Sequence, residues 1–76
     1  MNYYKTPQFI PGKGEAWMYT EADGETVTRT MTVIPSTGEI DRIGDPIVKK
    51  LFLSPRTIEA EEAEFVKHWD GGADGE

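Results

Sequence analysis

Seventy-six residues leave room for one hydrophobic core and no second domain. The absence of cysteine excludes disulfides, thiolate zinc sites and thiol nucleophiles, and makes a reducing, cytoplasmic setting the expected location. A hydrophobic content of 37% argues against disorder of the whole chain, while no stretch has the length or apolarity of a signal peptide or membrane span.

The net charge of −6 is unevenly placed. Seven basic and seven acidic residues cancel between Met1 and Arg56, so the excess lies in the last twenty residues, where Glu59, Glu61, Glu62, Glu64, Asp70, Asp74 and Glu76 face only Lys67. An acidic end on a neutral body disfavours nucleic-acid phosphates and favours a basic protein surface.

Residues 1–14 carry Pro7, Pro11, Gly12 and Gly14 and read as an extended arm. Tyr3, Tyr4, Phe9 and Ile10 are too apolar for a free tail, so the arm is expected along the body or across a neighbouring subunit. Residues 15–70 read as the folded domain. Its first strand, Glu15 to Glu21, places Trp17 and Tyr19 on one face and Ala16 and Met18 on the other. Asp23-Gly24 predicts a type I′ hairpin turn. The next strand, Thr26 to Ile34, alternates threonines with Val27, Met31 and Val33, which predicts one polar and one core face.

Pro35-Ser36-Thr37-Gly38 is a turn signal, and Glu39 to Ile43 a short third strand. Residues 47–53 divide between strand and helical turn, the β-branched start favouring a fourth strand. A helix is predicted over Glu59 to Trp69. Ile58, Phe65 and Trp69 form one apolar stripe, acids crowd the first turns, Lys67 and His68 occupy the last, and Gly71 is placed to cap. Residues 71–76 read as a disordered acidic tail. The expected fold is α+β: an antiparallel β-meander of three to four strands with one C-terminal amphipathic helix packed on one face.

The pattern Tyr19-x-Glu21-x-Asp23, Arg29-x-Met31-x-Val33 with Gly38, then Ile58, a Glu-rich turn and Phe65-x-x-x-Trp69 resembles a family of small uncharacterised bacterial domains. These pair a Tyr-x-Glu-x-Asp hairpin with a terminal Phe-x-x-x-Trp helix. The resemblance implies the fold and assigns no functional residue.

Enzyme chemistry finds little to work with. His68 is the sole histidine, and Ser36 and Ser54 both stand beside prolines in turns, so no nucleophile has a base expected nearby. Glu64 and His68 share a helix face but lack further ligands for zinc, and Gly12-Lys13-Gly14 lacks a phosphate-loop pattern. No enzyme activity, metal or cofactor is expected. The expected function is a small acidic binding module acting on a basic protein surface, as inhibitors, immunity proteins and phage anti-defence proteins of this size do. Glu59, Glu61, Glu62, Glu64, Tyr3, Tyr4 and Trp17 are its candidate contact residues. The alternative is an oligomer, a homodimer first of all, that sequesters a small ligand such as a nucleotide signal.

Overall fold

A computed structural model describes residues 1–71. It contains β1 (Asn2–Ile10), β2 (Gly14–Asp23), β3 (Thr26–Ile34), β4 (Glu39–Ile43), β5 (Ile58–Glu59) and α1 (Glu62–Asp70). The strands form one five-stranded antiparallel sheet in the order β4-β3-β2-β1-β5, with α1 on one face. The α+β meander with a C-terminal helix is therefore the fold, with one strand more than the upper expectation. The predicted tail lies, apart from Gly71, outside the described residues.

The N-terminal segment is extended, but it is no appendage. Asn2 to Ile10 pair with β2 along their whole length, from Asn2 opposite Ala22 to Ile10 opposite Gly14. Two prolines suggest a broken strand, yet Pro7 causes no conflict. Tyr3 accepts from Ala60 on the β5 side, so by alternation Pro7 turns its missing N–H toward that same side, where β5 pairs only with Tyr4 and Lys5. Gly12-Lys13-Gly14, read as a flexible joint, belongs to the β1–β2 turn and is pinned by Ser36 Oγ donating to the Lys13 carbonyl.

The β2–β3 turn centres on Gly24 and Glu25, since Asp23 pairs with Thr26. Only Gly24 has positive φ, at 63°, which is the pattern of a type II′ rather than a type I′ turn. Farther along this hairpin the register shifts: Glu21 opposes Arg29 while Ala22 opposes Val27, leaving Thr28 as a bulge. The bulge corrects the expected alternation of β3. Arg29, Met31 and Val33 share the helix face, whereas Val27 falls with Ala22 on the opposite face.

The helix-side core comprises Tyr3, Tyr19, Met31, Val33 and Phe65, with Trp17, Ile40, Ala60 and Trp69 packed against it. Phe65 is fully buried, 5.2 Å from the Tyr3 ring, edge-on to Tyr19 and stacked on Trp69. The helix starts at Glu62, not Glu59, because Ile58 and Glu59 are drawn into pairing with β1. Ile58 thus leaves the expected stripe and is half exposed. At the other end, Gly71 N–H caps the Lys67 carbonyl, and the Arg42 guanidinium donates to the carbonyls of His68, Trp69 and Gly71 at 2.7–2.9 Å.

Residues 47–53 do not form the favoured fourth strand. They lie in a strap, residues 44–57, that links β4 at one sheet edge to β5 at the other. It meets β3 through a single bridge, Lys50 to Thr26, flanked by Val27 N–H to Lys49 O and Leu51 N–H to Glu25 O. Phe52, Ser54 and Thr57 then border a groove with Thr6, Gln8 and Met18, residues on the sheet face opposite the helix. The Thr6 and Thr57 hydroxyls hydrogen-bond at 2.8 Å. The face expected to be open to water is therefore crossed by this strap.

Phe65→Ala is expected to cost about 3–5 kcal/mol, enough to abolish folding at this size. Trp69→Ala removes a half-buried ring and should cost roughly half as much. Thermal unfolding followed by near-ultraviolet circular dichroism checks the order; a larger loss for Trp69 would contradict this packing. Arg42→Ala should cost about 1–3 kcal/mol by freeing the helix C-terminal carbonyls, read as a lowered melting temperature without loss of the sheet signal.

Candidate functional site

Two polar clusters lie between sheet and helix. In the first, Glu21 is 4% exposed and every side of its carboxylate is engaged. Arg29 donates from Nε at 2.8 Å and from its terminal nitrogen at 2.7 Å, Thr28 donates to Oε1 and Tyr3 to Oε2, each at 2.7 Å. The Thr28 bulge supplies one of these donors and sets Arg29 opposite Glu21. Arg29 also lies over the rings of Phe65 and Trp69, at 5.0 and 4.7 Å from their centroids. Its hydrogen bonds hold the Glu21 carboxyl down at about 2 against the opposing effect of burial, with Thr28 and Tyr3 assisting. The bonded carboxylate in turn pushes the Tyr3 hydroxyl up, as does burial.

In the second cluster, Glu64 receives Lys5 at 2.8 Å and the Tyr19 hydroxyl at 2.6 Å. Burial raises the Glu64 carboxyl, but these donors outweigh it and leave it below its ordinary value. The Tyr19 hydroxyl is raised by burial and by that bond. Lys5 also lies 5.0 Å from the centre of the Trp17 ring, and Tyr19 packs beside His68. Both carboxylates are held in the ionised form; both oxygens of Glu21 are engaged, whereas Lys5 and Tyr19 share Oε2 of Glu64. Among the described residues every buried side-chain nitrogen or oxygen has a hydrogen-bond partner, and no three acids or histidines gather as a metal site.

The candidate contact residues therefore separate. Tyr3 is core, Trp17 packs against the core, and Glu64 is turned inward by Lys5. Glu59, Glu61, Glu62 and Tyr4 come together at the corner where β5 gives way to α1. Pairing of β5 with β1 sets Glu59 opposite Tyr4, and the helix start places Glu61 at the N-cap and Glu62 in the first turn. The three carboxylates are exposed, and among the described residues none is in an ion pair. A groove of about 250 Å³ lies at this corner, lined by Asn2, Tyr4, Glu59, Ala60 and Glu62 but not by Glu61. Sequence reasoning missed Arg29 and Glu21, whose pairing across the hairpin was the available signal.

No family model matches the chain, and comparisons with curated proteins and with solved structures gave no match. No helix among the described residues is long and apolar enough to cross a membrane.

Stability should follow Glu21 on the acid side. Its carboxyl lies below the ordinary value of 4.5 in the folded protein, at about 2, so its contribution is complete above the unfolded value and is lost as pH falls from one toward the other. The loss should amount to roughly 3 kcal/mol. Melting temperature measured from about pH 6 to pH 2 tests this, with Glu21→Gln expected to be less stable at neutral pH and flatter in acid; a flat wild-type profile would refute it.

Proposed function

We propose that the protein is a non-enzymatic binding module whose acidic corner engages a basic surface on another protein. One observation carries the reading: Glu59, Glu61 and Glu62 stand within four residues, exposed and in no ion pair among the described residues, whereas the other exposed acids without an ion pair, Glu15, Asp23, Glu25, Asp41 and Asp70, do not gather in threes. Tyr4 adds an amphipathic ring at the groove beside them, suited to the stem of a lysine or the plane of an arginine. The full engagement of the buried Glu21 carboxylate supports surface recognition over catalysis.

Binding to a purified basic partner, recovered by affinity capture from the source cells, should weaken at least about tenfold in Glu59→Lys/Glu61→Lys/Glu62→Lys and fall with added salt. Glu15→Lys, an exposed acid opposite Phe9 at the other end of β1, serves as the control. Equal binding by the triple variant would overturn the reading. A melting temperature raised several degrees by a nucleotide panel would favour small-ligand sequestration instead.

A further inference from the structure

Beyond the strap, toward the β1–β2 and β3–β4 turns, the same sheet face holds a groove of about 450 Å³ that no strap residue lines. Its walls are Gln8 and Ile10 of β1, Thr32 and Ile34 of β3, Asp41 of β4 and the Lys13–Glu39 ion pair. Ala16, buried opposite Gln8, has too short a side chain to fill the space between its neighbours. The volume lies within the range of small-molecule sites, with isoleucine methyls for contact area and a few polar groups for orientation. The nitrogen donors in it are spent. Lys13 Nζ meets the two Glu39 oxygens at 2.9 and 3.0 Å, and Gln8 Nε2 is turned to Met18 Sδ at 3.7 Å. Left without a side-chain partner among the described residues are Gln8 Oε1, the Thr32 hydroxyl and the Asp41 carboxylate, and each can accept a hydrogen bond.

We propose that this groove binds a linear aliphatic polyamine. Glu39 and Asp41 against Lys13 leave it with one carboxylate in excess, which disfavours phosphates and carboxylic acids and suits a cation. The free acceptors stand on three different strands, Gln8 on β1, Thr32 on β3 and Asp41 on β4. From β1 to β4 is three inter-strand spacings, roughly 14 Å between backbones, so the donors that would satisfy them are spread across the sheet rather than gathered at one point. A triamine matches that spread. One terminal ammonium meets Asp41, where the bond is charge-assisted, and the other meets Gln8 Oε1. The internal amine then lies over Thr32, and the methylenes pack on Ile10 and Ile34. A lysine side chain carries its donors only at the tip and reaches one of the three acceptors. The site is also separate from the acidic corner, because Gln8 and Ile10 stand toward the opposite end of β1 from Tyr4.

Isothermal titration calorimetry of the full chain with spermidine, in about 150 mM salt to screen long-range attraction, tests this. The expected result is one site per chain, at least about tenfold tighter than for n-butylamine, which has a single ammonium. Asp41→Asn should weaken spermidine binding at least about tenfold, and Gln8→Leu should bring spermidine closer to n-butylamine. Both variants should keep the circular dichroism of the parent, since both side chains are exposed. Glu59→Gln/Glu61→Gln/Glu62→Gln removes three charges at the acidic corner and should leave spermidine affinity within about threefold. Absence of heat from spermidine up to millimolar concentration overturns the proposal, as does an affinity that either groove variant leaves unchanged. A loss in the corner variant equal to that in Asp41→Asn also overturns it, because binding would then follow net charge alone. So does an acetylated and amidated Gly-Lys-Gly peptide that binds as tightly as spermidine, which would assign the groove to a lysine of a partner protein.

Discussion

Arg29 joins the two halves of this fold. Its guanidinium neutralises Glu21 on the neighbouring strand and lies against the Phe65 and Trp69 rings of the helix, so one side chain spans hairpin and helix. The contact depends on a backbone irregularity. Without the bulge at Thr28, Arg29 and Val27 would share a face, and the helix side would have to place both against the same rings. The bulge sends Val27 to the strap side and keeps the cation with the carboxylate. Truncating Arg29 would leave a buried charge behind, which is why such pairs are costly to break even where they add little net stability.

The strap and the helix divide the sheet between them in unequal ways. Phe65 disappears into its face, whereas Phe52 borders Met18 and Gln8 while leaving most of its ring outside. A connection from one sheet edge to the other must cross three strands, and residues 44–57 do so with one bridge and a few hydrogen bonds. Such a segment is held at its middle by the Lys50 bridge and next to β5 by Thr57. Ile47, Val48 and Phe52 therefore stay outside the core.

The bounds of β3 and β4 were legible because alternation and the turn glycine Gly38 act locally. What escaped was decided at long range. Residues 47–53 have β-branched composition, but beyond Ile43 the chain inserts a loop before rejoining β3, so most of the segment has no partner strand. Pro7 reads as a breaker unless the open side of β1 is known. At the site, charge counting found Glu59, Glu61 and Glu62, yet Glu64 looked equivalent because Lys5 is 59 residues away in sequence. Tyr3 and Tyr4 were also inseparable until β1 was a strand, when alternation sends one to the helix face and the other outward.

The helix start is where the acidic corner contributes least to folding. The N-cap of a short helix favours Ser, Thr, Asp or Asn, whose side chains bond the first free N–H groups and contribute about 1 kcal/mol. Glu61 occupies that position and makes no side-chain cap bond. Glu62 gains from the helix dipole, but Glu59 in β5 and Glu61 stand beside it with like charge and no cation. Buried side-chain polar groups among the described residues are all satisfied; the opposite helix end is closed by Gly71 and Arg42, and Glu64, two residues after Glu62, has both a lysine and a tyrosine. A missing cap beside three clustered carboxylates, with no compensating contact among the described residues, fits the expectation that local rules are broken where a surface binds. A basic partner would supply the missing counter-charge from outside.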